Sequence, residues 1–434
     1  MSSSVTNKPP HKINRKFLVS APGKVILFGE HAVVFGKSAV ASSVGLRSYL
    51  YLETREEELL ELYLPELGAT EPFSWKKSEL TFEFAAKNQQ EKGSFNQILY
   101  EKVKFFTIDK INKNVEGNSL IKIQQQQAAV SAFLYLYLTL LHIAETEQKQ
   151  EQFGLTIRVR STLPVGAGLG SSASYSVCLA TGLLLSFGFI DISNTNDNRS
   201  IAESINHWAF QAETVLHGTP SGVDNTVATF GGVLKFTKGS SGHLMIENLK
   251  GSRFQSTRFL LIDTKIPRDT RTLVANVRVK LEKYPDIVNP ILDAIQNISL
   301  YFVNLLKDHV SDNTFLEKFQ DLIDLNHHLL NSLGVGHLAL DKIREITARH
   351  GLHSKLTGAG GGGCALTLLH DDVLNEVIKR VKIEVSELGF DCFETLVGGP
   401  GVGVIDSLGV IDVNEFVTME KSMLQKINGW HFYE

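Results

Sequence analysis

Hydrophobic and polar positions near the start of the chain fall into short β-type runs. Phe17–Ser20 and Lys24–Phe28 read as two strands joined across Ala21-Pro22-Gly23, where proline fixes φ and glycine frees it. Residues 39–64 continue in the same style. Tyr49 and Tyr51 alternate with Leu50 and Leu52 ahead of Leu59–Leu64, which predicts antiparallel sheet. A helix is expected near 93–107, and an apolar one takes in Gln124–Gln127 and runs to about Ile143. Leu155, Ile157 and Val159 then alternate with Thr156, Arg158 and Arg160, a strand over 155–161. Residues 171–190 carry no charge and match a membrane span in length. Ser171, Ser172, Ser174, Ser176, Thr181, Gly182, Ser186 and Gly188 make the stretch too polar for that, so a buried central helix is predicted.

A polar loop at Asp191–Arg199 leads to a helix over 201–217, a turn at Thr219-Pro220-Ser221-Gly222, and a strand segment over Val227–Phe236. The Gly/Ser-rich residues 237–257 read as a linker. Beyond it the pattern predicts strand Phe259–Asp263 and helices near 270–283, 288–308, 314–333 and 339–350. Strand Cys364–Leu369, helix Asp372–Leu388 and strand Cys392–Val397 follow. Mixed strands and helices with hairpins argue for an α+β chain rather than a doubly wound sheet.

Composition changes this picture little. The length of 434 residues suggests two domains, and 43% hydrophobic with 21% charged residues is ordinary for a soluble globular protein. A net charge of −4 gives no reason to expect nucleic acid or an anionic membrane as partner. The three cysteines, Cys178, Cys364 and Cys392, are far apart and fit neither a disulfide framework nor a CxxC site. A reducing, cytoplasmic compartment is expected. Met1–Lys16 is polar, lacks the apolar core of a signal peptide, and reads as a flexible tail.

Candidate chemistry concentrates at Pro164–Ala173. Gly166, Gly168 and Gly170 let the backbone approach a ligand, and Ser171 and Ser172 open the central helix. Such a loop at a helix N-terminus cradles phosphate oxygens, and its hydroxyls suit the Mg²⁺ that accompanies a nucleotide. It matches neither the P-loop nor the dinucleotide fingerprint. Gly36-Lys37-Ser38 imitates a P-loop, but His31 stands where the required glycine would be. Gly358–Gly363 matches GxGxxG formally, yet a strand follows it where the dinucleotide motif needs a helix; close approach to a ligand is the expected reason for these glycines. Taken singly, Lys24 reads as a solvated strand-edge lysine, Asp224 as a turn former or helix cap, and Thr270 as a cap. Glu213 projects from a partly apolar helix face beside Ala209, Phe210 and Leu216, so it needs a cation or another polar partner.

As an ordered set, Lys24–Val34, Leu163–Ala173, His217–Asn225 and Lys355–Cys364 resemble the signature motifs of the GHMP small-molecule kinases. Within that superfamily, Ser20–His31, Lys265–Arg268 with Thr270, and Lys355–Cys364 are similar to the eukaryotic mevalonate kinases. The resemblance implies a GHMP kinase fold: a ribosomal protein S5 domain 2-like N-terminal domain over 17–240 and a ferredoxin-like C-terminal domain over 255–434. It implies ATP bound by Gly166, Ala167, Gly168, Leu169, Gly170, Ser171 and Ser172, with Ser161 and Lys24 also at the nucleotide. It implies Mg²⁺ on Ser172 and Glu213, with Asp224 and Lys24 catalytic. Glu30, His31 and Thr270 would lie near the mevalonate. Phosphorylation to 5-phosphomevalonate in isoprenoid synthesis, by a homodimer, is the implied activity. The alternatives are another GHMP acceptor (phosphomevalonate or a sugar) or a non-catalytic sensor. One departure is Glu66, where the family often has Asn or Asp.

Overall fold

The computed structural model describes residues 15–82, 94–112, 119–147, 153–192, 197–238, 244–249, 254, 257–308, 310–370, 372–406 and 411–433. Residues 1–14 of the expected tail lie outside these. Lys16 already opens the first strand, β1 (Lys16–Phe28).

β1 does not turn at Pro22-Gly23. It runs as one strand along β2 (Ser38–Arg55), and the register shifts between Pro22 and Lys24 as a bulge. The long partner holds the strand on course, and the bulge accommodates a residue without an N–H. A Cβ on Gly23 would lie 2.4 Å from Leu163 Cδ2 and 2.5 Å from the Leu169 carbonyl oxygen, so this glycine lets the 163–170 loop rest on the strand.

Residues 39–64 are not a plain antiparallel sheet either. β5 (Gly154–Ser161) inserts between β2 and β3 (Leu59–Tyr63), running antiparallel to β2 and parallel to β3. β4 (Phe73–Lys76) closes that edge against β3. Hydrophobic period marks each strand but not which strand arrives beside it.

Helices α1 (Gln97–Asn112), α2 (Leu120–Thr146), α3 (Ser171–Ser186) and α4 (Asn198–His217) pack on this sheet in a common core. By length and composition α2 could cross a membrane, but most of its apolar window is buried inside the molecule. The small residues of α3 bring it close to the strands. A Cβ on Gly182 would lie 3.1 Å from Leu50 Cδ2, and Ser174 Oγ donates to the Ala21 carbonyl at 2.6 Å beside the bulge.

Residues 223–230 form a helix, α5 (Val223–Phe230), where a strand was expected to begin at Val227. Val223, Val227 and Phe230 recur at helical spacing, and Gly222 enters the helix with φ 79°. The strand, β6 (Val233–Lys238), starts only after Gly231-Gly232. Part of the expected linker is also ordered structure: β7 (Leu244–Asn248) pairs with β6. Residues 239–243, 250–253 and 255–256 of that linker lie outside the described residues.

A second sheet has the order β11-β8-β10-β9, from β8 (Arg258–Asp263), β9 (Ser354–Leu356), β10 (Cys364–Leu369) and β11 (Asp391–Leu396). It packs with α6 (Thr270–Lys283), α7 (Pro285–Lys307), α8 (Asp312–Ser332), α9 (Leu338–Arg349) and α10 (Asn375–Ser386) around two apolar clusters, one of which also takes in Val25, Leu27, Val40 and Leu46 of the first sheet. The domain boundary at 255–434 needs correction, because the chain returns to the first sheet. β12 (Gly403–Asp406) pairs with β1, and β13 (His431–Phe432) pairs with β12. Val402, Val404 and Tyr433 are buried in the first core, which draws this segment back.

Candidate active site

A cavity of ≈ 1070 Å³ opens between the two sheets at the N-terminal end of α3. Gly166, Gly168 and Gly170 approach it in left-handed backbone conformations, φ 81°, 78° and 73°. Gly170 is the N-cap of α3 and offers no capping side chain, so the helix end is left for an outside acceptor. A Cβ on Gly166 would meet nothing within 4 Å; this glycine faces open space. Ser171 and Ser172 also line the cavity. Ala167 and Leu169, expected among the nucleotide contacts, turn their side chains into the hydrophobic core and leave only backbone to the loop. Ser161 Oγ accepts from the Leu163 amide at 3.1 Å and lies 3.3 Å from Ser48 Oγ, which fixes the strand end feeding the loop.

Lys24 is buried, not solvated. Its ammonium lies 3.3 Å from Asp224 Oδ2 and donates to the Gly168 carbonyl at 3.3 Å, while its backbone N–H donates to the Leu169 carbonyl. The bulge at Gly23 aims this side chain across the glycine loop. Asp224 sits in the first turn of α5, and Gly222 is the N-cap, so capping does not occupy its carboxylate.

Glu213 lies on the buried face of α4. Its partners are hydroxyls rather than an arginine: Ser176 Oγ donates at 3.0 Å and Ser172 Oγ at 3.5 Å. Burial and then the charge of Asp224 push its carboxyl up to about 7, against the serine hydrogen bonds and Lys24. His217, one turn on, places Nε2 3.0 Å from Ser172 Oγ and 3.8 Å from Glu213 Oε2, and burial lowers its pKa. A serine hydroxyl and a carboxylate that lacks a full counter-charge are hard oxygen donors suited to Mg²⁺. That ion takes one or two protein ligands and completes its shell with phosphate and water. No cluster of three or more His, Cys, Asp or Glu that could hold a metal occurs among the described residues.

On the facing wall, His31 Nε2 donates to the Ala359 carbonyl at 2.8 Å, which leaves Nδ1 as a buried acceptor with no hydrogen-bond partner among the described residues. Burial lowers the pKa of this imidazole. Thr270 opens α6, but Asp269 supplies the cap to the Arg271 and Thr272 amides, so Thr270 is free of that task and lines the cavity. Glu30 also lines the cavity, beside His31. Its side chain is fully buried, and Lys355 and Asn326 take its carboxylate oxygens.

Two residues escaped sequence reasoning. His217 stood inside a quoted motif without a role. Arg268 lies between the two glycine loops: its Nη2 donates to the Ala167 carbonyl at 3.0 Å, and its buried Nη1 has no hydrogen-bond partner among the described residues. It also corrects the reading of Gly358–Gly363. Cβ atoms on Gly360, Gly361, Gly362 and Gly363 would strike Val335, Leu273, Ile266 and Arg268, so protein packing demands these glycines. Of this loop only Gly358 and Ala359 line the cavity. Glu66 pairs with Arg160 at 3.0 Å, and Lys37 pairs with Asp293 away from the glycine loop.

Two family comparisons cover the glycine loop and part of the second sheet. Residues 135–232 match the GHMP kinases N terminal domain and residues 310–387 the GHMP kinases C terminal family. The chain is 43% identical over 403 residues to mevalonate kinase of Bos taurus, covering 90% of this chain and 96% of that one. To the Homo sapiens enzyme it is 42% identical over 402 residues, with the same coverage. The chain belongs to the mevalonate kinase family. A solved structure of L. major mevalonate kinase in complex with R-mevalonate has the same fold. Its TM-score is 0.61 at 21% identity, covering 92% of this chain and 100% of that one. The GHMP kinase fold therefore accounts for both sheets. In this mevalonate kinase family member the glycine loop, Lys24, Glu213 and Asp224 all border one cavity wall or its immediate backing.

Proposed function

We propose that the protein transfers the γ-phosphoryl group of ATP to the primary hydroxyl of mevalonate, giving 5-phosphomevalonate and ADP. The observation that carries this reading is the Lys24–Asp224 pair, 3.3 Å apart, at the mouth of the glycine loop. Phosphoryl transfer to an alcohol is mostly alignment and charge neutralisation. Gly166, Gly168, Gly170 and the N-terminus of α3 cradle the phosphates, and Ser161 steadies the approach. Lys24 neutralises charge between the γ-phosphate and the acceptor. Asp224 orients the hydroxyl and accepts its proton as the O–P bond forms and the bond to ADP breaks. Ser172 and Glu213 would hold Mg²⁺, which would supply further neutralisation of phosphate charge. The Nδ1 acceptor of His31 and the hydroxyl of Thr270 supply polar contacts for mevalonate.

We also place the protein in the cytoplasm, where its three free cysteines stay reduced, and read it as a homodimer, to be checked by light scattering. An ADP-release assay over mevalonate, phosphomevalonate, galactose and homoserine tests the function. Preference for any acceptor but mevalonate would overturn the substrate. Tight ATP binding without turnover on any of them would favour a sensor.

A further inference from the structure

Lys355 on β9, Thr357 just beyond it and Ala359 in the turn that follows each fasten a different residue of 26–31. The Lys355 ammonium pairs with the Glu30 carboxylate and donates to the Leu356 carbonyl at 2.8 Å. Thr357 Oγ1 accepts from the Ile26 amide at 3.1 Å and donates to the Ile26 carbonyl at 2.8 Å. The Ala359 carbonyl accepts from His31 Nε2. From α8, Asn326 Nδ2 donates to the other Glu30 oxygen at 3.0 Å. The fastened turn is a demanding one. Gly29 has φ 94°, where a Cβ would lie 2.4 Å from Ala39 Cα, and His31 is left-handed at φ 60° without being glycine. A non-glycine residue persists there only where its surroundings over-determine it.

The Glu30–Lys355 pair is fully buried, with both side chains at 0% exposure. Such a pair is poor evidence for stability, because desolvation offsets most of the attraction, and apolar replacements of similar volume are often neutral. What the pair does supply is direction. It ties the residue before His31 to the second sheet, so that sheet sets where the imidazole faces the cavity.

We propose that Lys355 and Asn326 are positioning residues for the acceptor. By holding Glu30 they fix the left-handed His31, and Glu30 serves as the anchor of this brace rather than as a contact to mevalonate. The inference rests on the acceptor reading given above.

The test is the double variant Glu30→Gln/Lys355→Met, which removes both charges at nearly constant volume, beside Asn326→Leu, which leaves the ion pair in place. The full-length protein is assayed for KM of mevalonate, kcat, affinity for a fluorescent ATP analogue and the ¹⁵N resonances of His31. The double variant should raise KM for mevalonate at least tenfold and shift the His31 resonances, with nucleotide affinity within twofold of wild type. Asn326→Leu should move KM and the resonances the same way by a smaller factor. An unchanged KM with unchanged His31 resonances in a folded double variant overturns the proposal, as does an equal loss of nucleotide affinity. If the double variant does not fold, Asn326→Leu decides by the same criteria. Wild-type protein inactive on mevalonate would refute the acceptor reading alone, and the His31 resonances would still decide whether the brace exists.

Discussion

Glu213→Gln removes a charge that is costly in the metal-free protein and keeps the shape and hydrogen-bonding capacity of the side chain. Glu213 titrates near about 7 in the folded chain against 4.5 for the ordinary group, with burial first among the causes and the charge of Asp224 second. The folded state therefore holds this proton more tightly than the unfolded one. The associated stability is fully present below pH 4.5 and is lost as pH rises through about 7. Each pKa unit corresponds to about 1.4 kcal/mol, so the full swing is on the order of 3 kcal/mol. Urea denaturation of wild type and Glu213→Gln in chelator at pH 5, 6, 7 and 8 reads the effect as a difference. The wild type should lose stability relative to the variant across this range, by about 1 to 3 kcal/mol in all. Repeating the series with saturating Mg²⁺ and a non-hydrolysable ATP analogue should flatten the difference, because a bound cation favours the carboxylate. Parallel pH profiles for the two proteins in chelator would refute the reasoning.

Asp224→Asn and Lys24→Met should each lower kcat by ~10²–10⁴-fold with nucleotide affinity retained, measured by single-turnover assay and equilibrium binding; wild-type-like turnover in both would sink the assigned roles. Gly168→Ala places a Cβ 1.2 Å from Arg268 Nη2 at φ 78° and should destabilise by ~2–3 kcal/mol, about 1–2 from the backbone and the rest from the displaced hydrogen bond. Gly166→Ala, open on that side, should show only the backbone share; equal melting temperatures for the two variants would contradict this. His327 accepts the Leu356 amide at Nδ1 and titrates near about 4 against 6.5, because burial disfavours its cation. Its depressed value means stability present above pH 6.5 and lost as pH falls through about 4, a loss of up to ~3 kcal/mol. His327→Asn should flatten the acid limb of a urea-denaturation pH profile; an unchanged limb would rule this out.

The sequence reached the glycine loop because the physics there is local. Gly166, Gly168 and Gly170 with a helix behind them describe a phosphate cradle without reference to anything distant. It reached α2, α3 and α6 for the same reason, since helical period and capping are written within one turn. It misread Val227–Phe236 because an eight-residue helix beside two glycines has too few repeats for its period to stand out. Lys24 taken singly looked solvated, since nothing within five residues shows that Asp224 will lie 3.3 Å away.

What sequence alone determined is the set of chemical parts: a backbone cradle for phosphate, hard oxygen donors and a cation–carboxylate pair, in an order that identifies the superfamily. The tertiary structure decided their allocation. It gave Glu30 to Lys355, turned Ala167 and Leu169 into the core, filled Gly360–Gly363 with protein contacts, and returned the last strands to the first sheet. The physical reason is common to all four. Each depends on which residues, far apart in the chain, exclude water from one another, and that is settled by packing between elements rather than by any pattern within one.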